Sequence, residues 1–135
     1  MKQVWQIDPE FKRLSVPLSP EEERKLENSL IRKGCMDPIA VWHGCILDGH
    51  KRYEICSYEE MDYKTVEMNF VSREDAIIWI CKKRVEESSA DKTIYKYLVG
   101  KWYNAEKTRI HAKRKEERRK SLAKRGGRTA GKHSS

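Results

Sequence analysis

Apolar residues recur along the first 103 positions in short groups whose spacing changes from one stretch to the next. Met1 to Ile7 reads as an edge strand, followed by a loop through Asp8-Pro9 and Pro17. Ser19-Pro20-Glu21-Glu22 announces a helix: Ser19 caps it, Pro20 suits the first helical position, and Glu22 reaches back to close a capping box. Leu26 and Leu30 share its inner face, and Gly34 ends it in the left-handed conformation that only glycine adopts cheaply. Ile39-Ala40-Val41-Trp42 predicts a strand, His43-Gly44 a hairpin turn, and Cys45-Ile46-Leu47 its antiparallel partner. A short helix is expected over Arg52 to Ser57. Tyr63 to Phe70 then alternates Val66, Met68 and Phe70 with Thr65, Glu67 and Asn69, the pattern of a half-buried strand. Ser72 with Asp75 caps the next helix, whose core face is Ala76, Ile77, Trp79 and Ile80. Lys82 to Ser89 reads as a polar joint. Ile94, Leu98 and Trp102 repeat every four residues from about Asp91 and mark one more helix with a face to bury.

Beyond Tyr103 the pattern fades to Ile110, Leu122 and a few alanines, too little for a core. An exposed helix is still expected there, supported by Lys113 to Glu117 and Glu116 to Lys120 pairs and stopped by Gly126-Gly127. The organisation is therefore a domain over 1–103 and a basic helical or disordered tail over 104–135. With 135 residues the chain has room for one modest core.

Charge sharpens this division. Residues 101–135 carry 13 Lys or Arg against 3 Glu, whereas the first hundred residues carry 16 against 18 acids. The net charge of +8 thus belongs to the tail. A tail of that kind favours DNA or RNA through counterion release, with Lys113, Arg114, Lys115, Arg118, Arg119, Lys120, Lys124 and Arg125 as candidate contacts. The plainer reading is a solvated end, or an adaptor that binds an acidic partner. Cysteines 35, 45, 56 and 81 form no Cys-x-x-Cys pair, so reduced, buried thiols are expected and no metal site is. No apolar run approaches the roughly 20 residues that span a bilayer, and the N-terminus lacks a signal-peptide core. A cytoplasmic protein without membrane contact is expected.

The richest chemistry lies in Ile46 to Cys56, where a buried strand runs through Asp48-Gly49 into His50-Lys51-Arg52. Gly49 sits where the chain must turn and where a missing side chain admits a ligand to the backbone. Amides at the following helix start, with the charges of Lys51 and Arg52, suit a phosphate on a nucleotide or on a nucleic-acid backbone. Cations at a helix start oppose its dipole, which an anionic guest would relieve. His50 is read either as a structural turn residue or as a ligand contact, and Asp48 first as a turn former. Trp79 and Trp102 share helical spacing with aliphatic residues and are assigned to the core, whereas Trp42 beside the hairpin turn is the tryptophan expected to be partly exposed.

Leu26 to Trp42, Ile46 to Tyr53, Arg73 to Ile80 and Tyr97 to Lys101 together resemble the N-terminal domain of ParB, in the ParB/sulfiredoxin superfamily. The resemblance covers most of residues 5–103. It implies a small α+β domain, a short mixed sheet carrying packed helices, with a phosphate-binding turn at Asp48 to Arg52. Sulfiredoxins look like Gly-Cys-His-Arg at this turn, and His50 stands where their reactive cysteine would be, so that activity is rejected. Partition proteins carry Glu-Arg-Arg after the glycine, with the arginines on nucleotide phosphates; Lys51 and Arg52 keep those two cations. Free-serine kinases of the superfamily look like Asp-Gly-His-His-Arg, which would give Asp48 and His50 acid-base work in phosphoryl transfer. Relatives usually continue with Asn-Gln and then Arg-Arg-Asn, which helps to close over the nucleotide. Lys82 to Ser89 replaces that segment, with Glu86 and Glu87 where cations are expected and Lys83 and Arg84 as partial substitutes. No helix-turn-helix is visible, so contact with DNA would be chiefly to phosphates.

The reading that results is a ParB-like DNA-binding protein of partition or regulatory type. CTP or ATP with Mg would be held at Gly49, His50, Lys51 and Arg52, helped by Lys83 and Arg84, and would switch conformation or homodimerisation. The alternative is an enzyme of the same superfamily, an ATP- or ADP-dependent phosphotransferase through Asp48 and His50, or a nuclease.

Overall fold

The computed structural model describes residues 3–15, 17–87 and 92–133, with side chains of the last helix described as far as Arg125. The chain forms helix α1 (Pro9–Arg13), helix α2 (Pro20–Lys33), strands β1 (Ile39–Trp42) and β2 (Cys45–Asp48), helix α3 (His50–Tyr58), strand β3 (Thr65–Glu67), helix α4 (Arg73–Glu87) and helix α5 (Lys92–His133). This is the expected α+β domain with a small mixed sheet. The strand order is β2-β1-β3, with β2 antiparallel and β3 parallel to the central β1.

Central β1 is buried at every position, and its side chains divide between two clusters. Ala40 and Trp42 join Leu47, Phe11, Leu14 and the apolar faces of α4 and α5 in the main core. Ile39 and Val41 meet Ile46 in a smaller one, closed by Trp5, Tyr53 and Tyr63. This period-two division is what a strand covered on both faces produces. Each fully buried aliphatic side chain contributes about 1.5–3 kcal/mol of transfer free energy. The hairpin between β1 and β2 turns through His43 and Gly44, both at positive φ (49° and 76°), the geometry whose twist matches the strands.

Helix α2 carries the complete Ser19–Glu22 capping box and ends at Gly34, whose φ of 79° spares a side chain the cost of that conformation. Ser72 Oγ accepts from the Asp75 amide at 3.3 Å and starts α4. Along α5, Ile94, Leu98, Trp102 and Ala105 pack on α4, and Arg109 adds a 3.3 Å ion pair to Asp75. From Ile110 to Arg125 every side chain is exposed except Glu116, which is half-buried and pairs with Arg119 at 2.6 Å. The helix runs on to His133, so the stretch after Arg109 is about 36 Å long at 1.5 Å per residue.

Several expectations need correction. The proposed loop after Asp8 contains α1: Asp8 Oδ1 accepts from the amides of Glu10 and Phe11, Pro9 occupies the first turn, and Phe11 and Leu14 are driven into the core. The N-terminal edge strand is reduced to one parallel bridge, Gln6 to Cys45. Helix α3 starts at His50, two residues earlier than expected. The strand drawn over Tyr63 to Phe70 keeps only Thr65–Glu67, all exposed at the edge of the sheet, while Met68 and Phe70 beyond it pack partly buried against the main core. Lys82 to Glu87 is the last part of α4 and no joint; Ser88, Ser89 and Asp91 lie outside the described residues, as does Met1. Gly126-Gly127 does not stop α5, since a helical glycine costs about 1 kcal/mol but blocks nothing. Trp42 is buried, donating Nε1–H to the Phe70 carbonyl at 3.2 Å. Cys56 and Cys81 are buried thiols, whereas Cys35 and Cys45 are half-buried.

Candidate functional site

Strand β2 ends by delivering Asp48 into the interior, and Gly49 turns the chain into α3 in the left-handed region (φ 94°, ψ 27°). A side chain there would be strained, and its Cβ would lie 3.1 Å from Arg52 Nη2 and 3.3 Å from Ile39 Cγ1. No side chain caps α3. The turn forms the floor of a cleft of about 520 Å³, whose walls include Ser15, Pro38, Trp79, Lys83 and Arg84.

Asp48, 4% exposed, organises the charges around it. Its Oδ2 accepts from Lys83 Nζ at 2.6 Å and lies 3.6 Å from Arg52 Nη2, while Oδ1 accepts from Arg84 Nη2. Burial pushes the carboxyl toward its neutral form, but the charges of Arg84, Lys83 and Arg52 outweigh burial and hold its pKa below the ordinary carboxylate value. Arg52 is fixed a second time through Nη1, which donates to the carbonyls of Asp37 (2.8 Å) and Pro38 (3.4 Å). Arg84 also pairs with Glu87 at 2.9 Å, yet its Nε is buried without a hydrogen-bond partner. Lys83, 38% exposed, reaches Asp48 across the Trp79 ring, its Nζ 5.2 Å from the centroid.

The structure thus brings Gly49, His50, Lys51, Arg52, Lys83 and Arg84 to one cleft, with Asp48 among them. Lys51 has acidic neighbours of its own, Glu23 at 2.9 Å and Glu54 at 3.5 Å, which offset its charge at the helix start without a guest. Glu87 lines the cleft, and so does Ser15, a residue that sequence reasoning did not select. The Ser15 Oγ is 3.1 Å from His50 Nδ1, while His50 Nε2 has no partner, although the residue is only 8% exposed. Burial together with the Arg84 charge lowers the His50 pKa from 6.5 to about 4, with Lys12 adding to the effect against opposing pulls from Asp48 and a main-chain hydrogen bond to Ile46. The imidazole is neutral at pH 7. Among the described residues no cluster of His, Cys, Asp and Glu is arranged to hold a metal ion, and no helix is long and apolar enough to cross a membrane. The basic candidates from Lys113 to Arg125 lie along α5, apart from this cleft.

A solved Pnob8-like ParB-N domain, in its C2221 crystal form, matches this chain with a TM-score of 0.68 over 84% of its length, at 24% identity. The fold is that of a ParB N-terminal domain. The matched part spans 47% of the solved chain, so the ParB-N-like chain described here corresponds to about half of it. No family model matches the sequence, and no curated protein matches it.

The depressed His50 pKa has a consequence for stability. Between pH 6.5 and about 4 the unfolded chain binds the imidazole proton and the folded domain does not, so stability falls as pH drops through that window. The expected loss is on the order of 3 kcal/mol at 1.36 kcal/mol per pKa unit. Asp48 acts lower: its contribution is present above the unfolded value near 3.9 and is lost only as pH falls through its depressed folded value. Urea unfolding at pH 7.5, 6.5, 5.5 and 4.5 should show the decline in the wild type and a flatter profile in His50→Gln. Equal slopes in the two proteins would place the titration elsewhere.

Proposed function

We propose that this ParB-N-like protein binds a phosphate-bearing nucleotide in the cleft at Gly49 to Arg52 and contacts DNA phosphates through the exposed part of α5. The observation that carries the reading is Arg84: a guanidinium held on Asp48 at the cleft wall, with an Nε–H that is buried and unpartnered. An unsatisfied buried donor costs about 1–3 kcal/mol, which an anion oxygen would repay. Arg84 and Lys83 supply from α4 the cations that the Arg-Arg-Asn segment supplies in relatives. CTP or ATP with Mg are the ligands proposed, and a change in conformation or homodimerisation is the proposed output.

The phosphotransferase alternative through Asp48 and His50 draws less support. A carboxylate held by Lys83, Arg84 and Arg52, with its pKa lowered, is a weak base. The proposal is therefore a binding module. For DNA, the supporting feature is the cationic run Lys113-Arg114-Lys115, Arg118-Arg119-Lys120 and Lys124-Arg125 on a helix that leaves the α4 contact after Arg109.

Calorimetric titration of CTP, ATP and ADP with magnesium should give binding by the wild type and at least about tenfold weaker binding by Arg84→Ala, the cost of a hydrogen bond to a charged group. Silence from every nucleotide, or equal affinity in the two proteins, would remove the nucleotide reading. Random duplex DNA should bind with a steep salt dependence, and replacing Lys113, Arg114 and Arg118 with Gln should reduce the log–log slope by about 2–3 at 0.9 per phosphate contact. An unchanged slope would return the helix to a solvated or protein-binding role.

A further inference from the structure

Glu87 places a carboxylate at the wall of the cleft, on one of the cations that an anion would use. Its Oε2 accepts from Arg84 Nη1 at 2.9 Å. The other terminal nitrogen of that guanidinium, Nη2, donates to Asp48, and Nε is buried. With the Arg84 side chain 15% exposed, little of its surface faces open solvent. An anion that takes hold of Arg84 must therefore replace one of the two carboxylates already on it.

The two carboxylates are unequal. Asp48 is buried and is also bonded to Lys83 at 2.6 Å, with Arg52 Nη2 at 3.6 Å, so moving it would leave three cations without their shared partner. Glu87 has a side chain 52% exposed, and the ion pair the structure gives it is the one to Arg84, three residues earlier on the same helix. Exposed pairs at that spacing are weak and readily exchanged for water. Glu87 is also the last residue of α4, where carbonyls without helical partners carry negative partial charge and disfavour a carboxylate. Solvent and helix both favour its release once another anion neutralises Arg84.

We propose that Glu87 is a displaceable resident anion of the cleft: it occupies Arg84 when the cleft is free, and a phosphoryl group that takes the guanidinium drives it out into solvent. This rests on the cleft being an anion site and adds how its affinity is set. Asp48 is the fixed partner that positions Arg84, and Glu87 is the exchangeable one. Glu87 therefore opposes anion binding, both by competing for Arg84 and by repelling the incoming charge. A ligand that reaches Arg84 alone gains little from the exchange, whereas one whose phosphates also reach Lys83 or Arg52 keeps a net gain, so the device favours polyphosphates.

Calorimetric titration of inorganic pyrophosphate into the wild type, Glu87→Gln and Glu86→Gln tests this. Glu86 is exposed and outside the cleft lining, so its variant removes the same charge without freeing Arg84. Glu87→Gln should bind about fivefold more tightly than the wild type, and Glu86→Gln should stay within about twofold of it. In the wild type, the carbon-13 signal of the Glu87 carboxylate, assigned by its loss in Glu87→Gln, should shift when pyrophosphate binds. Equal gains in the two variants, an unmoved carboxylate signal, or an affinity in Glu87→Gln no higher than that of the wild type would overturn the resident anion while the cleft remained an anion site. Weaker binding by Glu87→Gln only when magnesium is present would overturn it too, by making Glu87 a metal holder. Failure of pyrophosphate to bind either the wild type or Glu87→Gln would overturn both readings.

Discussion

One buried carboxylate sets the arrangement on which the rest of this cleft depends. Asp48 is the last residue of β2, and it draws Arg52 from the first turns of α3 and Lys83 and Arg84 from α4 onto a single pair of oxygens. Burying that charge alone would cost several kcal/mol, and burying the arginines without it would cost as much. Together they are tolerated, and the geometry that results holds cations at a concave surface instead of letting them extend into water. The same ion pairs tie α4 to the β2–α3 turn, so one interaction joins the main core to the site.

Around this centre the fold supplies restraint of other kinds. Gly49 permits the abrupt entry into α3, and the carbonyls of Asp37 and Pro38 hold the Arg52 guanidinium through Nη1 while Nη2 faces Asp48. Trp79 lies beneath Lys83, where a cation over an aromatic face gains about 0.5–1 kcal/mol. Each cation is thus positioned by at least two contacts, and one donor, Arg84 Nε, is left buried without a partner.

Legibility in the sequence followed the range of the interactions. The Ser19 capping box, the His43-Gly44 hairpin and the Asp48-Gly49 turn depend on neighbours within four residues, and each was readable from residue type alone. Helix α1 was missed although Asp8-Pro9 is a start signal, because five residues anchored by Phe11, with Leu14 just past them at the cap, fall short of a recognisable period. The exposure of β3 could not be read, since alternation does not say whether anything covers an edge. The partners of the site are farther apart still: Asp48 meets Arg84 across 36 residues, and Ser15 meets His50 across 35. The cations at 83 and 84 were visible as replacements for a family segment, but only the helical course of α4 through Glu87 turns them toward Asp48.

The central claim is that Asp48 and Arg84 form one coupled unit that builds the cleft. A double-mutant cycle on unfolding free energy, with Asp48→Asn, Arg84→Met and the double variant in urea at pH 7.5, measures that coupling. Because each single change leaves a buried charge or donor without its partner, the account predicts that the double variant loses less stability than the sum of the singles by about 1–3 kcal/mol. Additive losses would contradict it, and would mean that the two side chains stand side by side without depending on one another.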